Sequence, residues 1–206
     1  MIKIMSACAI LTIAAGCNVA SMSASKQDFC YIDKQKLSST GSVAFIELYN
    51  ESEYINMQAE VTDELYHAIM KKQLFTISIV KQNTAAWKSI DYSPGSKLTI
   101  EKLYQLQQSL NTKAILIGTV TDFKPYPHLS LAMKLEMTDL NDGQTIWAAE
   151  QIWDSADKNL EQRVKKYIRN QIRTDRTADR DKLTFISTKD FIKFLCYELA
   201  ETMKTN

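Results

Sequence analysis

Glycine and histidine are scarce in this 206-residue chain, which has five glycines, at positions 16, 41, 95, 118 and 143, and two histidines, His67 and His128. Glycines so far apart cannot form a phosphate cradle, and no Gly-x-Ser-x-Gly, His-Glu-x-x-His or Gly-x-x-x-x-Gly-Lys-Ser/Thr pattern occurs. Gly95-Ser96-Lys97 reads as a turn. Two histidines, one in a helical stretch and one after Pro127, leave little material for a triad or a metal cluster, so no catalytic residue, metal or cofactor is expected. Carboxylates such as Glu47, Glu51 and Glu53 read as solvated surface. Charge of one sign is also lacking, because 25 basic and 24 acidic residues leave a formal net charge of +1. No global field recruits nucleic acid. Beyond position 17 there is no apolar run of about 18 residues, the length a spanning helix needs.

What is present begins with a leader. Lys3 is followed by an apolar stretch from Ala7 to Ala15 and then by Ala14-Ala15-Gly16-Cys17, small residues immediately before a cysteine. A basic start, a hydrophobic core too short to span and small residues for a peptidase describe a secretory leader over residues 1–16. The cysteine makes it a lipobox. Acylated Cys17 becomes the new terminus, and its chains supply membrane affinity of about 0.8 kcal/mol per buried methylene. Asn18 in place of Asp favours the outer membrane by analogy with enterobacterial sorting, facing the periplasm. Loss of Cys8 with the leader leaves Cys30 and Cys196 as the remaining pair in an oxidising compartment. Two readings stay open: two separate thiols, or a disulfide closing a loop of roughly 165 residues and contributing about 4 to 5 kcal/mol.

The composition, with 45% hydrophobic residues, is that of one globular domain. Residues 17–42 are polar and serine-rich, broken by Phe29-Cys30-Tyr31-Ile32, and read as a lipidated tether. The domain proper is expected over 43–206. Val43–Leu48 reads as a strand, and Asn50 is placed to cap a helix from about Ser52 to Lys72 whose stripe is Ile55, Val61, Leu65, Ala68 and Ile69. A second strand spans Leu74–Val80. An irregular excursion over 81–97 precedes a helix from Thr99 to Leu110. Ala114–Val120 is a continuous apolar run, as expected of a central strand covered on both faces. Leu129, Leu131, Met133, Leu135 and Met137 then alternate with polar or small residues, giving a strand with one buried face. Asn141-Asp142-Gly143 turns it, Asp-Gly supplying positive φ, and Thr145–Trp153 returns as its partner. Trp147 and Trp153 share a face and read as core. Leu160, Val164, Ile168 and Ile172 stripe a further helix, and Ser187-Thr188-Lys189-Asp190 starts a last, buried one. The fold class is α/β, a mixed sheet with a C-terminal meander hairpin, helices packed on it and a C-terminal helical extension.

The run Val43-Ala44-Phe45-Ile46-Glu47-Leu48-Tyr49-Asn50 with Val61-Thr62-Asp63-Glu64-Leu65, the strand Ala114–Thr121, and the hairpin Met137–Ala149 with its Asp139, Gly143 and Trp147 resemble an envelope lipoprotein superfamily. It takes in the curli-secretion lipoprotein CsgG, the penicillin-binding-protein activators such as LpoB, the Pel polysaccharide lipoprotein PelC and the TolB amino-terminal domain. The resemblance spans roughly 43–153. It implies a non-enzymatic α/β domain that works by protein-protein contact. The chain lacks the long amphipathic hairpins of the curli channel, and a tether of about 25 residues is short beside the long linker of the synthase activators. A membrane-hugging assembly or secretion accessory, a homo-oligomer with envelope partners, is therefore the first expectation; the alternative is an activator of a peptidoglycan synthase or other cell-wall enzyme. Arg163, Lys165, Lys166, Arg169 and Arg173 form a basic surface suited to anionic headgroups, polysaccharide or an acidic partner, or a solvated helix face.

Overall fold

A computed structural model of the chain describes residues 29–89, 92, 95, 96, 98–171 and 187–204. The strands are β1 (Phe29–Ile32), β2 (Ser42–Ile46), β3 (Tyr49–Asn50), β4 (Thr76–Val80), β5 (Ala114–Lys124), β6 (Ser130–Asp139) and β7 (Thr145–Asp154). The helices are α1 (Lys34–Ser39), α2 (Met57–Met70), α3 (Ala85–Lys88), α4 (Ile100–Leu110), α5 (Lys158–Gln171) and α6 (Thr188–Thr202). All the strands join one sheet in the order β1-β7-β6-β5-β2-β4, with β3 pairing β5 beyond the end of β2. β2, β3, β4 and β5 run parallel where they pair, and β5-β6-β7-β1 is an antiparallel meander, so the sheet is mixed as expected.

This topology dictates where helices lie. Crossovers between parallel strands are right-handed. The chain moves outward from β2 to β4 through α2, then back past β2 to β5 through α4, so one handedness requires the two helices on opposite faces. The meander that follows has no crossover to bring a helix onto the face that carries α4. α2, α5 and α6 cover the other face: Val43, Phe45, Leu116, Val120, Leu135, Met137, Trp147 and Trp153 pack there against Val61, Leu65, Leu160, Val164, Phe194 and Leu195. Each large apolar side chain so buried contributes about 1.5 to 3 kcal/mol. Both tryptophans find polar partners for their indoles. Trp147 Nε1 donates to Thr202 Oγ1 at 3.0 Å, and Trp153 Nε1 donates to Glu198 Oε2 at 3.0 Å. On the opposite face a smaller core, Ile46, Trp87, Leu103, Leu106, Ile115 and Leu140, covers only β4, β2 and β5. The described part of the excursion over 81–97 belongs to it, since α3 seats Trp87 with its Nε1 donating to the Tyr49 hydroxyl at 3.2 Å and Tyr92 packs beside it.

Several expectations are corrected. Phe29–Ser39 is not part of a tether ending at 42: β1 pairs residue for residue with β7, and Asp33 caps α1 by accepting from the Lys36 amide at 2.9 Å. The folded body thus reaches at least to Phe29. α2 starts at Met57, not Ser52, because Tyr49 and Asn50 are held as a strand on β5. Asn50 does not cap it; its side chain folds over the turn, accepting from Ser52 and donating to the Tyr54 carbonyl. Ile55, assigned to the buried stripe, lies outside the helix at 88% exposure. In the β6-β7 turn only Gly143 has positive φ, at 71°, while Asp142 serves by accepting from the Gln144 amide at 2.9 Å.

Candidate functional site

Strand pairing alone assembles the open region of the sheet. Phe29 sits opposite Glu150 and Tyr31 opposite Ala148; across β7, Ala148 faces Glu136, Glu150 faces Lys134, and Ile152 faces Ala132. Alternation puts all of these on the face away from α2, α5 and α6. They are the residues that α4 does not reach. Phe29 is 54% exposed, Tyr31 45% and Ile152 44%. Isolated apolar residues at a surface need no explanation, but two aromatics and an isoleucine on neighbouring strands form a patch. Phe29, Tyr31, Lys134, Glu136, Gln144 and Glu150 wall a shallow trough of about 650 Å³. On the other side of Lys134 and Glu136 a hollow of about 370 Å³ continues toward Leu98 and Tyr92, whose hydroxyl is pushed up by burial and by the nearby Tyr49 and Glu136.

The chemistry of the trough is that of recognition. Lys134 Nζ and Glu150 Oε2 lie 4.0 Å apart on an exposed surface, a pairing that contributes little to stability. Thr145 Oγ1 donates to Glu136 Oε1 at 2.6 Å. Aromatic anchors inside a polar, mixed-charge rim describe the composition of a protein interface. Among the described residues no group of three or more metal-ligating side chains converges.

The residues singled out from sequence lie elsewhere. Cys17 falls outside the described residues. Cys30 and Cys196 are free thiols, so of the two open readings the structure has separate cysteines: Cys30 is exposed on edge strand β1, and Cys196 is buried between α6 and α2, its Sγ donating to the Val61 carbonyl at 3.9 Å. Burial pushes the Cys196 thiol far up, with Glu64 adding to the effect. Of the basic set, Arg163 is committed to Glu198 at 2.8 Å and Lys165 to Glu161 at 2.6 Å, while Lys166 is exposed. The Arg169 side chain and Arg173 fall outside the described residues. His67 and His128 are both exposed. Phe29 and Tyr31 were missed because they interrupt a serine-rich stretch; the available signal was their alternation with Cys30 and Ile32, the mark of a short strand with one aromatic face.

With this geometry in view, comparison with known proteins gives one family match. The model of the family described as peptidoglycan-synthase activator LpoB matches residues 18–152. No curated protein matches the chain. Among solved structures, a PelC dodecamer from Paraburkholderia phytofirmans is similar at 13% identity over 63% of this chain and 81% of that one, with a TM-score of 0.46. The LpoB C-terminal domain from Salmonella enterica is similar at 19% identity over 58% and 91%, with a TM-score of 0.41. The hypothetical protein CT253 from Chlamydia trachomatis is similar at 16% identity over 81% and 99%, with a TM-score of 0.48. At such identities and scores these chains are similar to this one and no more.

Proposed function

The chain belongs to the peptidoglycan-synthase activator LpoB family, and from that premise we propose that it is a lipid-anchored envelope protein that binds and activates a peptidoglycan synthase through the open sheet face. The observation that carries the proposal is the reach of the family match. Residues 18–152 contain β1, β5, β6 and β7 as far as Ile152, which are the strands of the open face, and leave out α5 and α6 with their basic side chains. The match moves the activator reading ahead of an assembly or secretion accessory. The lipobox at Ala14-Ala15-Gly16-Cys17 supports acylation of Cys17 and residence at the periplasmic side of the outer membrane.

The activator supplies no catalytic group in this scheme. A binding protein changes a partner's rate only through differential affinity for the partner's conformations, so the open face must fit the active form of the synthase better than the idle one. Phe29, Tyr31 and Ile152 are the apolar anchors, with Lys134, Glu136 and Glu150 setting register. Truncating a central aromatic anchor at an interface costs about 2 kcal/mol or more, a loss of affinity of roughly 30-fold. The test is synthase binding and glycan polymerisation from lipid-linked precursor, with purified mature protein. Wild type should accelerate polymerisation, and F29A with Y31A should weaken binding by at least about ten-fold without altering the maximal rate at saturation. Failure of the wild-type chain to bind or accelerate any bifunctional synthase would overturn the reading.

A further inference from the structure

The end of the domain at which β5 finishes carries a second exposed apolar group. β3 runs parallel to β5, so residues 51–56 lie level with Asp122–Lys124. The Tyr54 ring packs edge-on to Phe123 with centroids 5.1 Å apart. Beyond it Ile55 is 88% exposed, followed by Asn56 at φ 71°, and the β5-β6 loop presents Tyr126 at 84% exposure. Carboxylates surround them: Glu51 and Glu53 are exposed, and Asp122 pairs with Lys124 at 2.8 Å.

The path of the N-terminal chain aims at the same end. β1 runs antiparallel to β7, with Phe29 opposite Glu150, so the N-terminal end of β1 faces the end of the sheet where Asp154 pairs with Ser130 beside the end of β5. Twelve peptide steps separate Cys17 from Phe29, and at full extension they span about 40 Å. An acyl chain on Cys17 is thus attached through the end of β1 that faces this end of the domain and away from the β6-β7 turn.

We propose that Ile55, Tyr54 and Tyr126 rest in the headgroup layer of a zwitterionic, amine-bearing phospholipid surface. The proposal rests on acylation of Cys17. Tyrosine suits that layer, with the hydroxyl end wet and the ring apolar, and the wholly apolar Ile55 side chain is placed to reach the boundary with the acyl chains. Glu51 and Glu53 would be repelled by anionic headgroups and can accept from the ammonium of phosphatidylethanolamine. The contact orients the domain on its anchor and leaves the open sheet face turned sideways.

The test uses the full acylated chain in vesicles of brominated phosphatidylcholine and phosphatidylethanolamine, with a tryptophan introduced by I55W, by Y126W, or by K113W at the opposite end. The native tryptophans are at most 4% exposed and give a common background. Flotation with the vesicles, and quenching by brominated lipid at least about two-fold greater for I55W and Y126W than for K113W, is the expected result. Exchanging phosphatidylethanolamine for phosphatidylglycerol should reduce the difference. Flotation with equal quenching at all three positions would overturn the proposal, leave the anchor standing and make this end a surface for another protein. Greater quenching with phosphatidylglycerol would overturn the headgroup assignment. Absence of flotation would overturn the acylation reading and the proposal with it.

Discussion

The two faces of the sheet are built from the same strands and serve different ends. On the face under α2, α5 and α6, β6 presents Leu131, Met133, Leu135 and Met137, all buried; on the other it presents Ala132 and Thr138, which are buried, and between them Lys134 and Glu136, which are exposed. β5, enclosed on both sides, is apolar in both registers over its first half, with Ala114 and Leu116 to one core and Ile115 and Ile117 to the other. The difference follows from topology. A parallel crossover brings its own helix to cover a face, while a meander brings none. The meander half is thus where the sheet is left open, the surface proposed above for a partner, and Phe29 and Tyr31 on β1 are exposed apolar groups there.

The comparison predicts unequal costs. W147A removes an indole that is 0% exposed and leaves the Thr202 hydroxyl without its donor. It should destabilise the domain by about 3 to 5 kcal/mol in urea unfolding, enough to exhaust much of the stability of a typical domain. A cost under about 1 kcal/mol would mean that the helix-covered face is not the main core. G118A comes next. A β-carbon there would stand 2.3 Å from Leu135 Cδ2 and 2.8 Å from the Lys134 carbonyl oxygen. Leu135 can turn aside, but the backbone oxygen cannot without parting β5 from β6, so about 1 to 3 kcal/mol is expected.

On the open face the same measurement should barely move. F29A and I152A together remove side chains already about half exposed, 54% and 44%, and should cost less than about 1 kcal/mol while weakening synthase binding. Loss of folding in this double variant would show that the patch is structural and would break the contrast between the faces.

How far this was legible in the sequence differs by element. The period-two alternation of Leu131 to Met137 and the unbroken run at Ala114 fixed which strands have one or two covered faces, because burial is written directly into residue type. Helix α6 was legible from Ser187 and its all-round apolar surface, and Trp147 and Trp153 lie in the core as read. The start of α2 was not. Ile55 fits a helical stripe by spacing, but Tyr49 and Asn50 are claimed by β5, a long-range pairing that local periodicity cannot register. The same limit hid the open face: β1 pairs with β7 across more than a hundred residues, and only that register brings Phe29 and Tyr31 beside Lys134, Glu136 and Glu150.

The smallest expected effect is one of pH, and it separates the covered side from the open one. Glu201, near the end of α6, is pushed up by partial burial, but hydrogen bonds and charge from Lys204 and Lys72 outweigh this and hold its carboxyl below the ordinary 4.5. Lys36 likewise holds Asp142 below 3.8, helped by the Gln144 amide. A carboxyl whose folded value is depressed contributes stability that is complete above its unfolded value and lost as pH falls through the folded one. The urea midpoint should therefore hold steady above about pH 5 and decline below about pH 4. Because Glu201 is the more enclosed of the two and ties α6 to α2 through Lys72, E201Q should flatten that decline more than D142N, with hydrogen exchange rising first in α6. Equal flattening by both variants would place the acid-sensitive contacts in the surface turn as much as between the helices, and would erase the distinction drawn between the two sides at low pH.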